Sequence, residues 1–276
     1  MKRTLSGLES KLVMELEWEK RNLITPADVR RHLRCDDTTA WKLLHKLERK
    51  RWFERIQRGL YLFIPAERGE IAVPPLNPFL VASRLVEPYY LSYATAAAHY
   101  GFTTQMRPVI FISTTKRKKQ LKWRNSTFKF VTLSAKKFFG YTTSRVQDTE
   151  VQIAEPEKAV VDCLDKPRYA GGIGEIAMIL HTALRNADHA KLVNYATRMG
   201  SSALVQRLGF LSDVVRERFG EGLSRQLTST LRKHVGRSLI YIAPTTRFGY
   251  KGAFNKTWHV VENISREQLL AELTIG

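Results

Sequence analysis

A chain of 276 residues with 43% hydrophobic content exceeds the ordinary size of one domain and fills more than one core, so at least two domains are expected. Forty-five Lys and Arg against 26 Asp and Glu leave a formal charge of +19, an excess that repels itself unless a polyanion shares the surface; nucleic acid is the first such partner to consider. Ribosomal and membrane-surface proteins carry similar balances, so charge narrows the class without fixing the function.

No run of about 18 apolar residues suits a membrane span. The opening MKRTLSGLESKLVMELEWEK threads charges through its apolar positions, unlike a signal peptide, and a soluble cytoplasmic protein with no membrane partner is expected. Cys35 and Cys163 stand far apart, with no CxxC or His-rich neighbourhood, so neither a disulfide framework nor a zinc site is expected. Charge is uneven along the chain. Residues 1–70 carry +5, residues 71–150 carry +9 from 12 basic and 3 acidic side chains, and the rest carries +5.

Residues 5–20 place Leu5, Leu8, Leu12, Leu16 and Trp18 among Glu and Lys at nearly helical spacing, which predicts a first amphipathic helix. Thr25-Pro26-Ala27-Asp28 then supplies a hydroxyl cap, a proline at the first helical position and a carboxylate three residues after the cap. A second helix therefore starts there and ends near Leu33. After the turn Arg34-Cys35-Asp36, a third helix runs from Asp37 to Lys50.

The faces of that third helix separate cleanly. At 100° per residue, Lys42, His45 and Arg49 fall within about 40° of Thr38 and Lys46 near ~80°, while Ala40, Leu43, Leu44 and Leu47 lie opposite. One face packs and the other presents hydrogen-bond donors. Short Thr and long Lys and Arg side chains suit base edges near the helix start and phosphates beyond it, as on a recognition helix in the major groove. A charged outer face also suits a merely solvated helix. The adjoining segment favours the recognition helix: Trp52 to Ile64 predicts two short strands around Gln57-Arg58-Gly59, with glycine free to take the positive φ of a tight hairpin. Three helices and a basic hairpin carrying Arg55 and Arg58 form a winged helix-turn-helix pattern, expected to bind double-stranded DNA through Thr38, Thr39, Lys42, His45, Lys46 and Arg49 in the groove and the two hairpin arginines on the backbone.

Pro65, Gly69, Pro74, Pro75 and Pro78 suggest a linker over residues 65–78 and domains of 1–70 and 71–276. Beyond it, a helix reaches Val86, Glu87-Pro88 breaks it, and another helix opened by Ser92 ends before Gly101. Extended segments at Val109–Ser113 and Thr127–Leu133 flank the run Lys116-Arg117-Lys118-Lys119-Gln120-Leu121-Lys122-Trp123-Arg124, read as a hairpin or loop projecting cations. Trp123 there either stacks on a base or anchors the loop. This run is a secondary basic patch of Lys116, Arg117, Lys118, Lys119, Lys122 and Arg124.

The stretch EVQIAEPEKAVVDCLDKP, residues 150–167, predicts a strand passing into a helix near Pro156, with Ala159, Val160, Cys163 and Leu164 inward. Glu155, Glu157 and Lys158 are similar in type to the metal-binding carboxylates and lysine of some nucleases. The plainer reading is a helix N-terminus that favours acidic groups. Residues 174–235 alternate helical patterns with capping residues such as Ser201-Ser202 and Ser224, a helical layer, and the chain closes with short strands at Leu239–Ile242 and Trp258–Val261 and an end helix opened by Ser265. The fold class expected is α+β: a winged helix-turn-helix followed by a larger mixed α/β domain with a helical layer. The seven histidines show no HExxH spacing, and no GxSxG or phosphate-cradling loop appears, so no catalytic residue, metal or cofactor is expected.

Four groups of residues carry a resemblance over nearly the whole chain. They are Pro88-Tyr89-Tyr90-Leu91-Ser92 leading to Ala97 and Tyr100-Gly101; Glu157-Lys158-Ala159 with Asp162; Arg207-Leu208-Gly209-Phe210-Leu211; and Lys256-Thr257-Trp258 before Asn263. In this order and spacing the chain resembles the AbiEi antitoxin family of type IV toxin–antitoxin systems. The resemblance implies a non-enzymatic protein that represses its own operon through inverted repeats and neutralises a cognate nucleotidyltransferase toxin with its C-terminal domain. Two other readings stay open: a DNA-targeted, metal-dependent nuclease using Glu155, Glu157 and Lys158, and a stand-alone winged-helix regulator.

Overall fold

The computed structural model describes residues 4–66, 76–105, 108–146 and 149–271, and the chain divides into two compact units, one through Leu85 and one from Val86. The division falls fifteen residues later than the expected boundary at 70, because helix 78–85 groups with the first unit. Most of the expected linker, including Gly69, Pro74 and Pro75, lies outside the described residues.

The first unit runs α1 (Gly7–Trp18), β1 (Leu23–Ile24), α2 (Pro26–Leu33), α3 (Asp37–Arg49), β2 (Phe53–Gln57), β3 (Leu60–Phe63) and α4 (Pro78–Leu85). Local chemistry sets the starts of its helices. The Glu9 carboxylate accepts the Ser6 amide at 2.7 Å and opens α1. At α2, Asp28 accepts the Thr25 amide at 2.9 Å while Thr25 Oγ1 accepts the Asp28 amide, the expected reciprocal cap. Burial alone would raise the Asp28 carboxyl, but the Thr25 hydrogen bonds and Arg21, 2.7 Å away, hold it below its ordinary value.

The core of this unit joins Leu12, Val13 and Leu16 of α1 to Val29 of α2, to Ala40, Leu43, Leu44 and Leu47 of α3, and to Phe53, Tyr61 and Phe63 of the hairpin. Two residues expected on the packed face of α1 are not there: Leu8 is exposed and Trp18 is 89% exposed. Val13 takes an inward place instead. The strand β1, which the sequence pattern does not predict, pairs antiparallel with β3 and makes a three-stranded sheet in the order β1-β3-β2.

The second unit is mixed α and β. Its main sheet comprises β4 (Tyr90–Leu91), β5 (Val109–Thr114), β6 (Leu121–Trp123), β7 (Ser126–Thr132), β8 (Tyr141–Val146) and β9 (Thr149–Ala154), in the order β6-β7-β5-β4-β9-β8. The β5–β7 and β4–β9 pairs are parallel and the others antiparallel. Helices α5 (Tyr93–His99) and α6 (Pro156–Asp165) follow β4 and β9. A helical layer of α7 (Ile173–Asn186), α8 (His189–Arg198), α9 (Ser202–Phe219) and α10 (Arg225–Arg232) comes next, as the capping pattern predicts. The chain closes with β10 (Ile240–Tyr241), α11 (Thr245–Phe248), β11 (Ala253–Asn255), β12 (Val260–Glu262) and α12 (Arg266–Leu270), the three strands forming a small sheet in the order β10-β12-β11.

Residues that carry the family resemblance meet inside this unit. Lys158 and Asp162, one turn apart on α6, are fully buried and paired, and Lys158 Nζ donates to the Tyr90 hydroxyl at 2.9 Å. Gly209 of α9 lies against the ring of Trp258, where a Cβ would collide with it, and Trp258 Nε1 donates to Asp213 at 2.6 Å. Both cysteines are free. Among the described residues no helix is long and apolar enough to cross a membrane.

Candidate nucleic-acid interface

Helix α3 is set by its ends. Arg34, at φ 50°, turns the chain between α2 and α3 in a left-handed conformation, and the Asp36 carboxylate then accepts the Thr39 amide at 2.7 Å. That hydrogen bond keeps the Asp36 carboxyl below its ordinary value. With Ala40, Leu43, Leu44 and Leu47 buried, the opposite face is directed to solvent: Thr38, Lys42, His45, Lys46 and Arg49 are exposed and Thr39 is half-buried. The face arithmetic thus holds residue by residue. One cation of the same helix end points elsewhere, since Lys50 pairs with the buried Glu9 of α1 at 2.6 Å.

The hairpin turns at Arg58-Gly59, with Gly59 at φ 80°, and a register shift between Arg55 and Gln57 marks a bulge. Arg55 and Arg58 are both exposed. Between α3 and the hairpin lies an open cleft of about 360 Å³ lined by Trp41, Lys42, His45, Arg55, Arg58 and Tyr61. Four of the expected residues therefore come together, and Thr38, Thr39, Lys46 and Arg49 continue along the same helix face. His45 Nδ1 sits 3.4 Å from Glu48. Burial pushes the Tyr61 phenol up, with Arg55 nearby acting in the opposite direction.

Sequence reasoning missed Trp41 and Tyr61. The signal for Trp41 was present, because it falls about 60° from Thr38 on the outer half of the helix. Tyr61 belongs to a strand buried along its whole length, and nothing in the sequence separates its ring edge from the core.

The secondary patch lies in the second unit. Lys116, Arg117 and Lys119 are exposed in the loop before β6, Lys122 is exposed on β6 and Arg124 just after it, and Lys118 stands over the Phe130 ring at 5.2 Å. Of the two readings for Trp123, the anchor holds: the ring is buried, with the Arg124 guanidinium 4.3 Å from its centre.

Glu155, Glu157 and Lys158 do not form an open acidic site. The Tyr195 hydroxyl donates to Glu155, Lys191 lies 3.3 Å from Glu155 and 3.2 Å from Glu157, and the Asp188 amide donates to Glu157 at 3.0 Å. Lys158 faces Asp162 and Tyr90 in the interior. Burial raises the Asp162 carboxyl while Lys158 pulls it down. Among the described residues no three His, Cys, Asp or Glu side chains gather in a metal-holding arrangement.

Comparison with known proteins adds the fold. The chain is similar to the crystal structure of the RV2827C protein from Mycobacterium tuberculosis, with a TM-score of 0.67 at 18% identity, over 99% of this chain and 96% of that one. The likeness is one of fold. No family model matches the sequence, and no curated protein matches it.

Proposed function

We propose that the first unit is a winged helix-turn-helix that binds double-stranded DNA, and that the chain is a transcriptional repressor of its own operon and an antitoxin. The observation that carries the DNA reading is the exposed row Thr38, Lys42, His45, Lys46 and Arg49 on α3, beside a hairpin whose Arg55 and Arg58 share its cleft. A helix about 10–12 Å across fits the major groove, the Thr side chains near its N-terminus reach base edges, and the long cations reach phosphates on either side. In this arrangement β2 and β3 are the wing.

The antitoxin part rests on the resemblance to AbiEi proteins, in which a cognate nucleotidyltransferase toxin and operator inverted repeats are the partners. Support comes from the way its motif residues, Tyr90 with Lys158 and Asp162 and Gly209 with Trp258, join into the interior of one unit.

The test is binding of full-length protein to a duplex of its own upstream DNA across a salt series. Lys42→Glu with Arg49→Glu should weaken binding and reduce the log–log salt slope by about 2, since each phosphate contact contributes about 0.9. An unchanged slope would show that α3 does not face the DNA. Co-expression with the product of the adjacent gene tests the second part: growth rescue is expected, and no rescue leaves a stand-alone regulator.

A further inference from the structure

The small sheet at the end of the second unit presents a face that the DNA reading does not use. In β10 and β12 Tyr241 pairs with Val261, and in β11 and β12 Phe254 pairs with the same Val261, so these three side chains share one face of the sheet. The opposite face is core, carrying Val260 at full burial, with the buried Trp258 ring nearby in the interior. On the outer face Tyr250 stands edge-on to Tyr241 with ring centres 5.5 Å apart, and Phe254 stacks on His259 at 6.3 Å. Tyr250 is 70% exposed and Phe254 is 53% exposed. A cluster of large exposed rings on one sheet face marks an interaction surface.

The surrounding charge says what kind of partner fits this surface. Residues 237–256, which include β10, β11 and the connection between them, hold four Lys and Arg, all exposed, and no Asp or Glu, and the Glu262 carboxylate of β12 is 3.3 Å from Arg266. Rings set among cations fit a polyanion that also carries flat π-faces. In a duplex those faces are consumed by base stacking and only edges and phosphates are offered, so the rings have nothing to meet. An unpaired strand offers both.

We propose that the outer face of the β10-β12-β11 sheet binds a single-stranded nucleic acid, with Tyr250 and Phe254 stacking on bases and the flanking cations, Arg237, Lys251 and Lys256 among them, holding phosphates. Tyr241 and Phe254 stand on strands either side of β12, roughly 10 Å apart, so at least two nucleotides are engaged. Stacking and phosphate charge do not read the 2′-hydroxyl, so RNA and DNA strands bind alike.

The test uses the full chain and fluorescein-labelled 12-nucleotide oligo(U) and oligo(dT), read by anisotropy. Tyr250→Ala and Phe254→Ala should each weaken both oligonucleotides roughly tenfold, and Lys251→Glu should lower the log–log salt slope by about 0.7. Both rings are mostly exposed, so unchanged thermal unfolding of the variants separates lost binding from lost folding. The Lys42→Glu, Arg49→Glu chain should bind the oligonucleotides as the parent does, which keeps this site distinct from the duplex site on α3. The proposal is overturned if neither oligonucleotide binds, if the ring variants bind as tightly as the parent, or if their only effect is on self-association in sedimentation, which would make the face a contact between copies.

Discussion

Two helices of this protein carry charged side chains to opposite ends. Helix α3 holds Lys42, Lys46 and Arg49 on an exposed face, with its aliphatic residues turned to the core. Helix α6 buries Glu157, Lys158 and Asp162 together with its aliphatic residues, and they answer one another and their neighbours in the interior. The same residue types thus face solvent in one unit and serve internal cohesion in the other. What decides is whether a second element covers the charged face: α5 and α8 both pack on α6, and Tyr90 reaches it from the sheet.

The largest effect that would break this contrast is at Asp162. Asp162→Ala strands Lys158 in the interior and should cost about 3–5 kcal/mol in urea unfolding, whereas replacing both members, Lys158→Met with Asp162→Leu, should cost far less. Each of Lys42→Glu and Arg49→Glu, at exposed positions, should stay within about 0.5 kcal/mol. An Asp162→Ala variant as mild as the surface changes would mean that the buried pair is not what the contrast requires.

A smaller effect separates two glycines. Gly209→Ala drives a methyl into the Trp258 ring and should cost about 1–3 kcal/mol, with loss of the near-ultraviolet tryptophan signal. Gly59→Ala meets only the Trp41 ring, at ordinary contact distance, and loses only the ease of a positive φ, about 1 kcal/mol. Equal losses would erase the distinction between a packed approach and a turn conformation.

The smallest concerns Asp28, whose folded carboxyl is held below its ordinary value of 3.8. A depressed carboxylate contributes stability that is complete above the unfolded value and is lost as pH falls through the lower folded value. Asp28→Ala should therefore cost about 1 kcal/mol near neutrality. The gap from the parent should begin to narrow in a melting-temperature series below about pH 4 and close once the pH has fallen through the lower folded value. A gap that does not narrow as the pH falls below about 4 would assign the effect to packing.

The first unit was the more legible because its signals are local. The Thr25–Asp28 cap spans three residues, and the faces of α3 follow from one periodicity, so both the elements and the outer residues can be read directly. Strand β1 escaped because two residues cannot show alternation, and Trp18 because helical spacing alone does not say which flank of an apolar stripe the neighbours cover. In the second unit the deciding contacts are long-range. Nothing near Lys158 announces Tyr90, 68 residues earlier, and the meeting of Tyr241, Tyr250 and Phe254 is made by strand register. Trp123 shows the same limit: its fate depended on whether the strand around it was covered.

The run at 116–124 has one further effect through its place at the margin of the main sheet. Strand β6 is three residues long and, among the described residues, pairs with β7 alone, so it stands at the edge of the sheet, where an extended chain could add. Lys122, exposed on that strand, and the cations just before and after it confront an incoming strand of the same protein with like charge. Like charge at an open edge opposes the pairing of separate copies edge to edge, a role for part of the positive surplus that needs no ligand.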